Sequence, residues 1–288
     1  MGRAAAGWFV LLSSVAEAAG VQERTAARAE RFEALRRAFE RASGGGAASD
    51  EERMQVIARV FHHRNRIALE LVELAEEASD DPIALDALTT AVWQVNTTPW
   101  PIEVAGEDPA RGRAFALLQR DHLRSDRLGP LCQRVSSGFC GEYETFLRAV
   151  LDENPHDAVR AQACVALAHF LKNRRQRIDL VDEQPELARE FEGLYGVEYL
   201  AALRGQERAQ ADAEAAALYE RAAADHGDVK LPGGGTVGEQ ARAGLFELRH
   251  LSVGKAAPDL EGEDQEGIRF KLSDYRGKVV LIDFWHQY

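Results

Sequence analysis

Three cysteines, eight histidines and one acid inside an apolar run are the side chains of this 288-residue sequence from which chemistry could be built. Cys132, Cys140 and Cys164 form neither a Cys-x-x-Cys pair nor a zinc-type spacing. Cys164 sits in Cys164-Val165-Ala166-Leu167-Ala168, where it reads as a small buried hydrophobe. Cys132 and Cys140 flank a loop, and a disulfide between them would need an oxidising compartment; spacing alone leaves their pairing open. His62-His63 followed by Arg64 lacks the His-Glu-x-x-His pattern of a zinc protease and reads as surface or helix-end histidine. His169, beside Phe170, reads as packing. Gly233-Gly234-Gly235-Thr236 lacks the Gly-Lys-Ser/Thr ending of a phosphate loop and reads as a linker. Trp93, Trp100 and Pro101 could line a groove, but suit core or loop packing better. No Ser/His/Asp arrangement, metal-ligand set or cofactor signature is present in the pattern, so no cofactor is expected. Asp283 is different: it interrupts the apolar run Val279 to Phe284, and a carboxylate there needs a reason.

The net charge of −12 repels phosphate backbones, which sets nucleic-acid binding aside. At 45% hydrophobic and 28% charged the chain has the composition of a folded globular protein, and its length suits roughly two domains. There is no apolar run of about 18 residues, so no membrane span is expected. At the amino terminus Arg3 supplies a positive charge, Ala4 to Val15 carries none, and Ala16-Glu17-Ala18 fits a small-x-small cleavage site. Residues 1–20 therefore read as a secretory signal, the alternative being the first turns of an alanine-rich helix. The signal would make the protein exported, periplasmic or of the cell envelope; the alternative is cytoplasmic.

From Thr25 to Leu251 the pattern is one helix after another. Phe32, Leu35 and Phe39 draw an apolar stripe, and Ile67, Leu71, Leu74 and Ala78 draw another. Ser49 to Glu52 has capping-box form. Asp81-Pro82, Asp108-Pro109 and Asn154-Pro155 each place proline behind a capping residue, predicting helix starts. Helices are also predicted over Glu142 to Leu151, Pro185 to Leu203, Ala209 to Ala224 and Gly238 to His250. Short links between them predict stacked helical hairpins of a tetratricopeptide-like kind, though the three proline starts lie 27 and 46 residues apart and define no fixed repeat. The expected fold is thus mainly α over residues 21–251, with a partner protein on the helical array.

After Ser252 the composition shifts: three of the five lysines lie in the final segment, together with closely spaced glycines and a β-type run. Asp264 to Gly267 predicts a tight turn between two short strands, and Gly277 a reversal ahead of a strand from Val279 to Phe284, continuous enough to be covered on both faces. The succession Gly254-Lys255-Ala256-Ala257-Pro258-Asp259, then Gly262-Glu263-Asp264-Gln265-Glu266-Gly267, then Leu272-Ser273-Asp274-Tyr275-Arg276-Gly277-Lys278-Val279-Val280-Leu281, then Asp283-Phe284-Trp285, resembles the redoxin branch of the thioredoxin fold. That branch comprises the alkyl-hydroperoxide-reductase/thiol-specific-antioxidant proteins and the membrane-anchored thiol–disulfide oxidoreductases. The likeness runs from Val253 to Trp285, and residues 252–288 are accordingly expected to be the first, incomplete part of a thioredoxin-like domain.

The resemblance implies thiol–disulfide exchange or peroxide reduction by a cysteine thiolate, acting on a thiol or disulfide protein substrate. It places a Cys-x-x-Cys two or three residues after Phe284-Trp285, at a helix start whose free N–H groups stabilise the thiolate. His286, Gln287 and Tyr288 follow instead, with Tyr288 where the family usually has the Trp before its first cysteine. The resemblance also makes Asp283 a buried acid that accepts a proton from the resolving thiol, with Phe284 and Trp285 beside the active site. Within these 288 residues Asp283 has no such thiol to deprotonate, so the expectation is a redoxin truncated before its catalytic cysteines and inactive as it stands. The alternative is a helical binding or scaffold protein with a vestigial redoxin tail.

Overall fold

A computed structural model describes residues 25–37, 65–79, 81–95, 109–206 and 208–283. The signal-like segment, Phe39, the Ser49 to Glu52 box, His62-His63, Trp100-Pro101, Phe284, Trp285 and Tyr288 lie outside the described residues, as does the side chain of Trp93.

The chain is mainly α. Helices α1 (25–37) and α2 (65–76) are followed by α3 (Pro82–Val95), α4 (Pro109–Leu117), α5 (Gly129–Val135), α6 (Gly141–Glu153), α7 (Asp157–Glu183), α8 (Pro185–Tyr195), α9 (Val197–Arg204), α10 (Arg208–Asp225) and α11 (Val237–Phe246). Two of them unwind into a π-helical turn: Leu118–His122 after α4 and Glu247–Leu251 after α11. Among the described residues no helix is long and apolar enough to cross a membrane.

The apolar stripes supply the core. Phe32, Leu35, Ile67, Leu71, Leu74, Leu85, Leu88 and Val92 are all buried, as are Phe115, Leu118, Phe146 and Leu147 further on. At the centre runs α7, whose residues 161–168 are buried without interruption. A helix apolar on every side belongs inside a protein, and α7 packs against α5, α6 and α8 to α11. Alanines at 161, 163, 166 and 168 keep its surface low enough for those neighbours to approach. A second, smaller core forms at the far end of α7, where Ile178 and Val181 meet Phe139, Leu187, Phe191, Leu200 and Leu203.

Two of the three proline starts stand at the first residue of a helix, Pro82 and Pro109. The third does not. Asn154 closes α6 instead, donating from Nδ2 to the carbonyls of Leu123 (2.7 Å) and Ser125 (2.8 Å) and accepting the His156 N–H at Oδ1. Buried and committed to three partners, it spans the α6–α7 corner, and α7 starts at Asp157. The single helix predicted over Pro185 to Leu203 is two helices, because Gly196 adopts φ +84° and breaks the ladder between α8 and α9. The last helix begins earlier than Gly238: Thr236 accepts the Glu239 N–H while Glu239 accepts the Thr236 N–H, a reciprocal cap that the Thr-x-x-Glu spacing spells.

Beyond Ser252 the chain makes a two-stranded antiparallel ribbon, β1 (Glu261–Glu263) with β2 (Arg269–Lys271), and a short 3-10 turn, Leu272–Tyr275. No residue from Val253 to Asp283 is buried.

Candidate functional site

The segment with the redoxin-like pattern holds itself together through the residues that make up the pattern. Asp264 accepts the N–H groups of Glu266 (3.0 Å) and Ile268 (2.8 Å) at one oxygen, and Gly267 takes φ +77°, which closes the tight turn between β1 and β2. Across the ribbon Glu261 faces Lys271 and Glu263 faces Arg269, each an ion pair directly opposite, of the kind that fixes strand register. Asp259 reaches over to Ser273, accepting its N–H at 2.8 Å and its hydroxyl at 2.7 Å; those two bonds hold the Asp259 carboxyl below its usual range. Asp274 accepts the Lys271 N–H at 2.8 Å. The Pro-Asp and Leu-Ser-Asp pieces of the pattern are therefore two halves of one clasp. Gly277 (φ +83°) then turns the chain into residues 278–283.

The far end of the pattern is bare. Val279 and Leu281 are fully open to solvent, Val280 and Ile282 about half so, an alternation of period two without any backbone partner among the described residues. The covered strand expected over Val279 to Phe284 is thus an extended, unpaired segment as far as Asp283. The burial that the resemblance implies for Asp283 is absent: the side chain is exposed, since no strand flanks it and no helix covers it among the described residues.

The thiols lie elsewhere. Cys132 on α5, Cys140 at the N-cap of α6 and Cys164 on α7 are buried, with no disulfide between Cys132 and Cys140. Burial pushes the Cys132 thiol up to about 12 and the Cys164 thiol up to about 11. A thiol so placed is a packing group and a poor nucleophile near neutral pH.

Charged groups inside the helical domain pair with one another. Arg174 on α7, nearly buried, lies over the Phe170 ring and pairs with Glu144 on α6. Arg148 bridges Glu144 (2.8 Å) to Glu214 on α10 (2.7 Å). Burial pushes Glu144 up, but Arg174 and Arg148 together outweigh it and hold the carboxyl below its ordinary value. A small, solvent-open depression beside this network is lined by Leu171, Arg174, Arg175, Ile178, Leu203, Gln206 and Ala211, and its two arginines are already engaged, Arg175 by Asp179. His169 Nδ1 and the Tyr219 hydroxyl share a hydrogen bond at 3.2 Å, a specific contact where the sequence predicts only packing. Among the described residues no group of His, Cys, Asp and Glu could hold a metal ion. Of the Arg–Glu network only the i,i+4 pair Glu144–Arg148 had a signal in the sequence; Arg174 and Glu214 join it from two other helices.

Compared with known proteins, the chain matches no family model, no curated protein and no solved structure.

Proposed function

We propose that this chain is a helical domain joined to the opening part of a redoxin-type thioredoxin-like domain, in the thiol–disulfide oxidoreductase and peroxiredoxin class. The observation that carries this is the clasp: Asp259, Asp264, Ser273 and Asp274, the polar residues of the redoxin-like pattern, each have a structural task within one small unit. In that setting Asp283 is the acid that would lie beneath the redox pair, with Phe284 and Trp285 next to it. The 288 residues hold no Cys-x-x-Cys, and the three thiols they do hold are buried in the helical domain, so they carry no redox activity by themselves. The same fact supports a second reading, in which the helical domain binds a partner protein and the tail is a vestige. Pairing of successive helices, α3 with α4, α6 with α7 and α10 with α11, supports hairpins of tetratricopeptide type; the many neighbours of α7 set it apart from an array in which each unit touches only the next. Export through residues 1–20 belongs to the same proposal.

The deciding experiment is the intact mass of the native protein from its source, with a peptide map beyond Trp285. A Cys-x-x-Cys peptide following Trp285, together with disulfide or peroxide reduction by the purified protein, is the expected result. A native product ending at Tyr288 and lacking both reductase activities would overturn the redox reading in favour of the scaffold. A mass about 2 kDa lower than the full chain would report removal of the signal.

A further inference from the structure

Where the helical domain hands over to the tail, the chain is fastened by a small polar cluster that the redoxin reading does not use. The fastened piece is the π-helical turn Glu247–Leu251; two residues later every side chain is exposed or half-exposed. Lys172 of α7 donates to Glu247 at 2.5 Å, and the Lys172 side chain is only 3% exposed. His169 stands one turn before Lys172 on the same face of α7. Its Nδ1 is hydrogen-bonded to the hydroxyl of Tyr219, a fully buried ring of α10 against which α11 lies flush through Gly244, where a Cβ would come within 2.4 Å of the ring.

We propose that His169, Lys172 and Glu247 form an acid-sensitive latch that holds the final turn of the helical domain and so governs how the tail leaves it. With His169 neutral, one cation meets one carboxylate and the imidazole shares a hydrogen bond with Tyr219. A proton on His169 leaves Nδ1 able only to donate to the Tyr219 hydroxyl, and places a second positive charge beside Lys172. Both cations then share Glu247. The groups facing His169 are Lys172 on its own helix, Tyr219 on α10 and Glu247 on the turn; on the outer side Arg249 of the turn is paired with Glu220 of α10, and His250 lies tilted against Phe246. Burial, helped by Lys172 and opposed by Glu247, holds the imidazole below its ordinary 6.5, so the latch is closed at neutral pH. Its contribution is full above 6.5 and is lost as pH falls from there through the lower folded-state value, because the open state binds the proton more readily.

The test is hydrogen exchange on the full chain at about pH 7.5 and about pH 5, corrected for intrinsic rates. Amides 247–252 are expected to exchange several-fold faster at the lower pH, with α7 unchanged. His169→Asn keeps an acceptor for Tyr219 but takes no proton, and should abolish the step. If that variant does not fold, Lys172→Met carries the test: without the second cation the step should disappear, with exchange fast at both pH values because Glu247 has lost its partner. Wild-type exchange independent of pH, or a step of undiminished size in either folded variant, would overturn the proposal.

Discussion

Glu144 holds both Arg148 and the nearly buried Arg174. Glu144→Gln leaves Arg174 inside the protein without a counter-charge, and we expect a loss of about 3 kcal/mol at neutral pH, measured by urea unfolding. Because the folded-state value lies below the ordinary 4.5, the stability that Glu144 contributes is present above 4.5 and disappears as pH falls through the folded value. The gap between wild type and variant should therefore close on acidification; a gap constant with pH would mean that packing, and not charge, sets the loss. The buried thiols give a second prediction. Burial keeps Cys132 and Cys164 protonated, so iodoacetamide at about pH 8 should leave both unlabelled in the native protein and label them once it is unfolded. Native-state labelling, read by peptide mass, would contradict their packing role.

At the scale of elements, the α8–α9 corner shows how one residue divides a continuous helical pattern. Gly196 has φ +84° and ψ 144°, a conformation essentially confined to glycine, and it lets α9 turn back so that Tyr199 donates to the Phe139 carbonyl at 2.6 Å. The corner closes the small core around Phe139 and Phe191, whose rings meet edge to face at 5.2 Å. Gly196→Ala has open space for its methyl group but not the backbone freedom, and should cost about 1–3 kcal/mol in denaturant unfolding. An unchanged midpoint would show that the corner relaxes without strain. The corner at Asn154 works by the opposite means, with a side chain supplying the hydrogen bonds that the turn leaves open.

For the whole molecule the contrast lies between a body organised around α7 and a tail that buries nothing. Leu260, Ile268, Phe270, Val279 and Leu281 are all exposed, while Leu71, Leu88, Phe146 and Leu167 are fully enclosed. Removing the tail should then leave the body's stability alone: a chain ended after Leu251 is expected to melt within about 2 °C of the full protein by calorimetry, a shift worth less than about 1 kcal/mol for a domain of this size. Amides 279–283, without backbone partners among the described residues, should exchange close to intrinsic rates in the same preparation. A substantial drop in melting temperature, or strong protection there, would mean that the tail packs.

Local patterns settled much of this in advance. The stripe Ile67, Leu71, Leu74 and Ala78 became a buried face, since a period of three to four residues can bury only one side of a helix. Asp264 and Gly267 were legible as a turn because their side-chain and backbone preferences act within a few residues. The tertiary structure decided the rest. It made Asn154 a corner post, it set Gly196 between two helices, and it gathered Glu144, Arg148, Arg174 and Glu214 from three helices into one network. It also left Asp283 exposed where an apolar run in the sequence predicts a covered strand. Burial and charge pairing depend on which elements lie alongside one another, and residues far apart in the chain decide that.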